Sequence, residues 1–252
     1  GEVHFLRAFF YFELVKIFGD VPLFTHGRLT AGDSGTLTRV PKSEVYAVIE
    51  SDLNSAISAL PAQKSTDGRA TSFTAHALLG KVYLYQGKYS EAANILEPLI
   101  GLYTLPSNPG SVFLVSGENG PESVFEIQHS KESNGWNWGW LPQSTEGNFG
   151  VIHHGIRGYN GPTYSSGWSF NVPTDEFHKS FKSGDKRRDA SILDIVKWAE
   201  DNNASYNEGY EHTGYFNNKY IPRQGYSKNT MELNYENNYR YIRYANFKLY
   251  DK

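Results

Sequence analysis

The chain has 252 residues, of which 39% are apolar and 15% aromatic, enough to bury a sizeable core. Its 24 basic and 27 acidic residues nearly cancel and form no long run of one sign, so nucleic acid is not expected as a partner. The absence of cysteine excludes disulfide scaffolds, zinc-thiolate sites and thiol nucleophiles.

Two long helices are predicted at the start of the chain. The segment EVHFLRAFFYFELVKIF is apolar on nearly every side and predicts a largely buried helix, which stops at Gly19. We therefore expect Phe9 and Phe10 in the core. In the segment RVPKSEVYAVIESDLNSAISALP, apolar residues recur at helical spacing between Pro41 and Pro61, which suit the start and the end of a second helix.

Helices over residues 73–86 and 89–100 are separated only by Gly87 and Lys88, so we expect an antiparallel pair. The pair matches the tetratricopeptide pattern, in which Gly80 and Ala92 are small where the two helices approach. The other matching positions are Leu79, Tyr83, Gly87, Tyr89 and Leu96. A plain helical hairpin stays open as the alternative.

The composition changes after residue 101, where Gly, Asn, Ser, Pro and Tyr become frequent. We therefore divide the chain into a helical, tetratricopeptide-like part over 1–101 and a loop-rich part of the same domain over 102–252. Within the second part, SVFEIQ predicts a short strand and YRYIRYANFKLY a helical or strand-to-helix segment. The predicted fold class is mainly α, built on tetratricopeptide-like helix pairs with an irregular loop-rich region and short strands.

Motifs for enzyme chemistry are absent from the sequence. It has no nucleophile elbow, phosphate-binding loop, dinucleotide fingerprint or zinc-protease motif, so we predict no catalytic residues and no cofactor. His153 and His154 are adjacent and make a poor chelating pair, so no metal site is predicted. A glycoside hydrolase using two carboxylates stays open as an alternative. The acids in or near the aromatic region are Glu122, Glu126, Glu146, Asp175 and Glu176.

The segment FLRAFFYFELVKIFGDVPL resembles the hallmark segment of the SusD/RagB family of outer-membrane glycan-binding lipoproteins. Further resemblances follow in family order along most of the chain. They are RVPKSEVYAVIESDLNSAISALP, GRATSFTAHALLGKVYLYQGKYSEAANIL, ESVFEIQ, GWSFNVPTDEF, GDKRRDAS and YIRYAN. The resemblance implies tetratricopeptide-like helix pairs with an irregular ligand-handling region, here 102–252, packed against them.

The same resemblance implies a function without catalysis at the outer-membrane surface. The protein would capture an oligosaccharide, or a peptide as in some members, and deliver it to a partner transporter of the TonB-dependent SusC type. It would be held at the membrane by a lipid anchor on an N-terminal cysteine, which this sequence lacks. By comparison with the usual family length, we expect that about half of the protein is present and that C-terminal helices are missing.

The segment GWNWGW places three tryptophans on alternate positions with only glycine and asparagine between them. These residues match no family-wide segment, whereas Trp168 lies in one and is expected in the core, as is Trp198. We predict an exposed aromatic platform for a sugar ring, with polar side chains at its rim. The predicted ligand-binding residues are Trp136, Trp138, Trp140, Tyr159, Tyr164, Asn137 and Gln143. Two alternatives stay open: the tryptophans cover the helical layer, or the chain is a protein-binding helical-repeat scaffold.

Overall fold

A computed structural model describes residues 1–252 except 36, 64, 133–145, 210, 229–233 and 249–252. It divides into two compact units, residues 1–103 together with 242–252, and residues 104–241. Residues 242–248 group with the helical unit, whereas the sequence suggested a division at residue 101 alone.

The described residues are mainly helical, with short strands. The helices are α1 (Glu2–Phe18), α2 (Lys42–Ala59), α3 (Ser72–Tyr85), α4 (Tyr89–Leu96), α5 (Gly150–His153), α6 (Asp175–Lys179), α7 (Lys186–Ser191), α8 (Ile195–Asn202) and α9 (Ala245–Lys248). The strands are β1 (Val21–Pro22), β2 (Arg39–Val40), β3 (Ser123–Ile127), β4 (Ile192–Asp194), β5 (Tyr215–Asn217) and β6 (Tyr239–Arg243). No described helix is both long enough and apolar enough to cross a membrane.

In the first unit, helices α1 to α4 pack one on the next in chain order. The predicted helical pair is confirmed as α3 and α4, which form a hairpin through Gly87 at a φ of 74°. Helix α4 ends earlier than predicted and continues as a 3-10 turn over Glu97–Leu99. Pro98 explains the change, because proline lacks the N–H that an α-helix needs at this position.

Only one face of α1 is buried, so the expectation of a helix covered on nearly every side is wrong. The buried residues are Phe5, Ala8, Phe9, Phe12 and Val15. They recur at helical spacing, and α2 packs on α1. Phe10 lies on the opposite face and is 60% exposed, in contrast to the prediction. The other strongly exposed apolar residues of this helix are Val3, Leu6, Ile17 and Phe18.

The second unit holds short elements joined by long irregular segments. The predicted strand SVFEIQ is confirmed as β3, which pairs with β6, and β4 pairs antiparallel with β5. Its described core includes two apolar clusters. One contains Ile156, Tyr159, Tyr164, Leu193, Ile195, Phe216 and Ile221, and the other contains Val151, Ile152 and Tyr235.

Candidate functional site

Five of the predicted ligand-binding residues lie in the segment 133–145, outside the residues that the structure describes. They are Trp136, Asn137, Trp138, Trp140 and Gln143. The aromatic platform that they were expected to build stays a prediction.

Tyr159 and Tyr164 are buried, with exposed fractions of 8% and 4%, so the expectation of exposed rings is wrong for both. Their rings meet edge-on, and Tyr164 also contacts the indole of Trp198 at 5.0 Å between ring centroids. The Tyr159 hydroxyl donates to the carbonyl of Pro162 and accepts from the Trp198 indole N–H at 2.9 Å. These bonds allow Tyr159 to be buried, because its hydroxyl and the Trp198 N–H are both satisfied.

A different aromatic group reaches the surface, and backbone hydrogen bonds build it. Residues 167–170 run along the end of α5, with Trp168 N–H donating to Ile152 at 3.0 Å and Phe170 N–H donating to His153 at 2.8 Å. The Ser169 N–H donates to the carbonyl of Gly155 between them. These bonds set Trp168 and Phe170 beside His153.

Two glycines allow the backbones to approach this closely. A Cβ atom on Gly167 would lie 2.3 Å from the Cα of Gly155, and one on Gly155 would lie 2.5 Å from the Cα of Gly167. Both distances are far below van der Waals contact, and backbone atoms cannot move aside as a flexible side chain does. The close approach of the two segments therefore requires glycine at both positions.

The resulting aromatic cluster consists of Phe149, His153, Trp168 and Phe170. His153 stacks on Phe170 with an interplanar angle of 25°, whereas Phe149 and Trp168 meet edge-on with centroids 5.7 Å apart. Phe149 is 41% exposed and Phe170 53% exposed, while Trp168 is half-buried against the core cluster of Val151, Ile152 and Tyr235. The cluster thus exposes apolar ring surface to solvent, and Trp168 anchors it to the core.

Polar groups border the aromatic cluster. The Arg157 guanidinium donates to the carbonyl of Trp168 at 2.9 Å, and its side chain is exposed. His154 lies within hydrogen-bonding distance of the Asn171 amide at 3.3 Å. Burial, with a smaller contribution from the neighbouring His153, lowers the pKa of His154, which favours the neutral imidazole at physiological pH. Apolar rings beside such donors and acceptors are the composition of a site for a ligand with both apolar and polar faces.

Two of the carboxylates considered for catalysis, Glu126 and Asp175, are engaged in other contacts. Glu126 is buried, and its two oxygens accept hydrogen bonds from the Asn119 backbone N–H at 3.1 Å and the Asn238 side chain at 3.0 Å. Asp175 pairs with Lys179 on the exposed surface of α6. Glu126 therefore has a structural role. Among the described residues, no group of three or more His, Asp or Glu could hold a metal ion.

Sequence reasoning missed Phe149, His153 and Phe170 as surface aromatics. A signal was present: Phe149 and His153 are four residues apart, and Trp168 and Phe170 lie on alternate positions of GWSFN. Either spacing places aromatic residues on one side of its segment. The contact between the two segments depends on backbone pairing at Gly155 and Gly167, which no local pattern shows.

Comparisons with known proteins agree with this fold. A SusD-like family model, described as "Starch-binding associating with outer membrane", matches residues 1–84. SusD-like protein P2 of Formosa agariphila is 28% identical over 200 residues, which cover 76% of this chain and 38% of the relative. SusD-like protein P38 of the same organism is 29% identical over 188 residues, which cover 69% of this chain and 36% of the relative.

Solved structures are similar over nearly the whole chain. A laminarin-binding SusD-like protein is 38% identical with a TM-score of 0.88, covering 99% of this chain and 58% of that one. Surface glycan-binding protein A from Bacteroides thetaiotaomicron, solved in complex with laminarihexaose, is 26% identical with a TM-score of 0.83. The match covers 99% of this chain and 55% of that one.

Helix pairs of tetratricopeptide type beside an irregular region with short strands define the SusD-like class of proteins. In sequence and in fold, the chain is similar to proteins of the SusD/RagB family. It spans somewhat more than half the length of these solved structures and under two fifths of the curated relatives.

Proposed function

We propose that this chain is the glycan-binding part of a non-enzymatic protein of the bacterial outer-membrane surface. It captures an oligosaccharide and delivers it to a TonB-dependent transporter of the SusC type, to which it is held close by a lipid anchor. The observation that carries the proposal is the exposed aromatic cluster, in a chain whose solved relatives include a laminarin-binding protein and a laminarihexaose complex.

The aromatic cluster suits a sugar because a pyranose ring has an apolar C–H face and a polar rim. A sugar ring lying on Phe170 or Trp168 would place its hydroxyls near Arg157 and Asn171. Aromatic stacking of nucleic-acid bases contributes about 1 to 3 kcal/mol per base, and we expect a similar magnitude for each stacked sugar.

The three tryptophans of GWNWGW form the second part of the proposed site. Trp136, Trp138 and Trp140 would supply further stacking surfaces, with Asn137 and Gln143 hydrogen-bonding to sugar hydroxyls. This segment precedes Phe149 closely in sequence, so a glycan chain several sugars long could contact both groups.

The test is calorimetric titration of the protein with laminarihexaose, a panel of other oligosaccharides and a peptide pool. We expect laminarihexaose to bind, and Phe170→Ala and Trp168→Ala each to weaken binding about fivefold to a hundredfold, as a lost stacking contact requires. Phe177→Ala is the matched control, because Phe177 is similarly exposed at 49% but lies on α6 against Phe181.

Melting temperatures separate binding from stability in this experiment. Phe170 is half-exposed, so its removal should leave the melting temperature nearly unchanged while affinity falls. The same titration with Trp136→Ala, Trp138→Ala and Trp140→Ala tests the second part of the site. Unchanged affinity in all five variants would contradict the proposed site, and binding of peptides alone would contradict the ligand class.

A further inference from the structure

The unit of residues 104–241 contains a second concave feature, a cavity of about 610 Å³. Three segments line it: residues 107–114, helix α7 and residues 218–223. The polar residues lining it are Ser107, Asn108, Ser111, Lys186, Asp189, Asn218 and Arg223. No aromatic residue is among its described lining residues, so this polar cavity differs in kind from the aromatic cluster.

Helix α7 brings a cation without an acidic partner to the polar cavity. In DKRRD, Asp185 pairs with Arg187 and Asp189 pairs with Arg188 at 2.9 Å. The hydrogen bonds from Arg187 lower the pKa of Asp185 to about 2, so this acid stays ionised and engaged. Among the described residues, Lys186 has no such partner, and its charge is available at the cavity.

Arg223 is the second cation, and neutral groups hold it in place. Its guanidinium donates to the Asn218 side-chain oxygen at 3.0 Å and lies 5.0 Å from the ring centroid of Tyr164. Asn218 is itself fixed, because its amide donates to the carbonyl of Asp189 at 2.9 Å. Within the described part of the chain no carboxylate pairs with Arg223, so donors of its planar fork remain for a ligand.

We propose that the polar cavity binds an anionic substituent, a carboxylate or a sulfate ester, carried by a sugar. Arg223 would hold the anion through paired N–H donors, and Lys186 would add a point charge. Hydrogen bonds between charged groups are the strongest that such an anion can form. Asp189 also lines the cavity, and its pairing with Arg188 reduces the repulsion between its carboxylate and a bound anion.

The carrier is inferred from the size and the polar lining of the cavity. Its volume lies in the range of pockets for small organic molecules, well above the space that an inorganic anion fills. Asn108 and Ser111 can exchange hydrogen bonds with hydroxyl groups of the same molecule. Naming a sugar as the carrier rests on the proposed function, whereas anion binding by Arg223 and Lys186 does not.

The test is a titration with glucose 6-sulfate and glucuronic acid, compared with glucose and with inorganic sulfate. We expect the acidic sugars to bind more tightly than either comparison ligand, and added salt to weaken that binding. Arg223→Gln and Lys186→Gln should each reduce the affinity for the acidic sugars by about tenfold or more. Lys197→Gln is the matched control, since Lys197 is an exposed lysine already paired with Asp201.

Other results of the titration would overturn the site or the sugar carrier. Equal affinity for glucose and glucose 6-sulfate, or unchanged affinity in both variants, would overturn the site. Inorganic sulfate binding as tightly as glucose 6-sulfate would overturn the sugar carrier. If Arg223→Gln proves unstable, Lys186→Gln decides alone, because Lys186 is exposed. Laminarihexaose affinity distinguishes the two sites. It should fall in Phe170→Ala, which alters the aromatic cluster, and stay unchanged in Lys186→Gln, which alters the polar cavity.

Discussion

At the scale of single residues, the buried carboxylate of Asp52 explains why the first helix carries Arg7 and His4. Asp52 is 2% exposed on the apolar face of α2 and accepts hydrogen bonds from Arg7 Nε at 2.6 Å and Nη2 at 2.7 Å. His4 Nδ1 lies 2.6 Å from the same carboxylate. Burial by itself would raise the pKa of Asp52, but the bonds from Arg7 and His4 outweigh it and lower the pKa. The arginine of FLRAFF thus joins α1 to α2.

We predict that Asp52→Asn lowers the free energy of unfolding by about 2 kcal/mol near neutral pH, since charged hydrogen bonds are lost. The folded pKa is lower than the unfolded value of about 3.9, so the contribution of Asp52 is complete above that pH. It disappears as the pH falls through the folded pKa. Denaturant unfolding over a pH series should therefore show the two proteins converging in acid.

The control for this prediction is Asp201→Asn, which removes an exposed ion pair with Lys197 on α8. An exposed pair of this kind contributes less than about 1 kcal/mol, so the control should unfold almost as the parent does. A difference between Asp52→Asn and the parent that stays constant from neutral pH into acid would contradict the role assigned to the carboxylate.

At the scale of elements, the hairpin of α3 and α4 depends on one glycine. A Cβ atom on Gly80 would lie 2.5 Å from both Cγ and Cδ2 of Leu96, a buried side chain of α4. Because Cγ itself is in the way, a rotation of the leucine methyl groups cannot relieve the contact. The packing of Leu96 therefore requires, in this chain, the small residue that the tetratricopeptide pattern has at this position.

A double-mutant cycle tests this packing. Gly80→Ala should destabilise the protein by about 1 to 3 kcal/mol through overpacking, although alanine is the better helix former. In the Leu96→Ala background the obstruction is gone, and Gly80→Ala should become neutral or stabilising by up to about 1 kcal/mol. Thermal and denaturant unfolding of the four proteins measure the coupling. The same sign of effect in both backgrounds would refute the contact.

At the scale of the whole molecule, the described residues divide into a helical unit and a loop-rich unit. The helices supply buried apolar surface, while the aromatic cluster and the polar cavity both belong to residues 104–241. In the second unit the buried acid Glu126 accepts hydrogen bonds from Asn119 and Asn238.

We predict that the protein does not hydrolyse the glycan that it binds. Incubation with laminarihexaose followed by chromatography should return the intact oligosaccharide. Glu126→Gln should alter the melting temperature and leave the product pattern unchanged, because its carboxylate is structural. Turnover that is abolished by changing Glu122, Glu126, Glu146, Asp175 or Glu176 would contradict this expectation and support a glycoside hydrolase.

Local patterns in the sequence were enough to predict helices α1 to α4 and strand β3. The spacing of apolar residues defined α1 to α4, Gly87 marked the hairpin, and the alternation of SVFEIQ marked β3, because these signals act over a few neighbouring residues. The resemblance to SusD/RagB proteins likewise came from sequence and agrees with the structural comparisons.

Which aromatic residues reach solvent was decided only by the tertiary structure. Tyr159 and Tyr164 looked like surface residues in a glycine-rich stretch, yet Trp198 and the core around it cover them. The spacing of Phe149 and Phe170 places each on one side of its own segment but does not show that this side faces solvent, and both residues are exposed. Burial depends on partners distant along the chain, such as the crossing at Gly155, and local periodicity carries no information about which distant segments will meet.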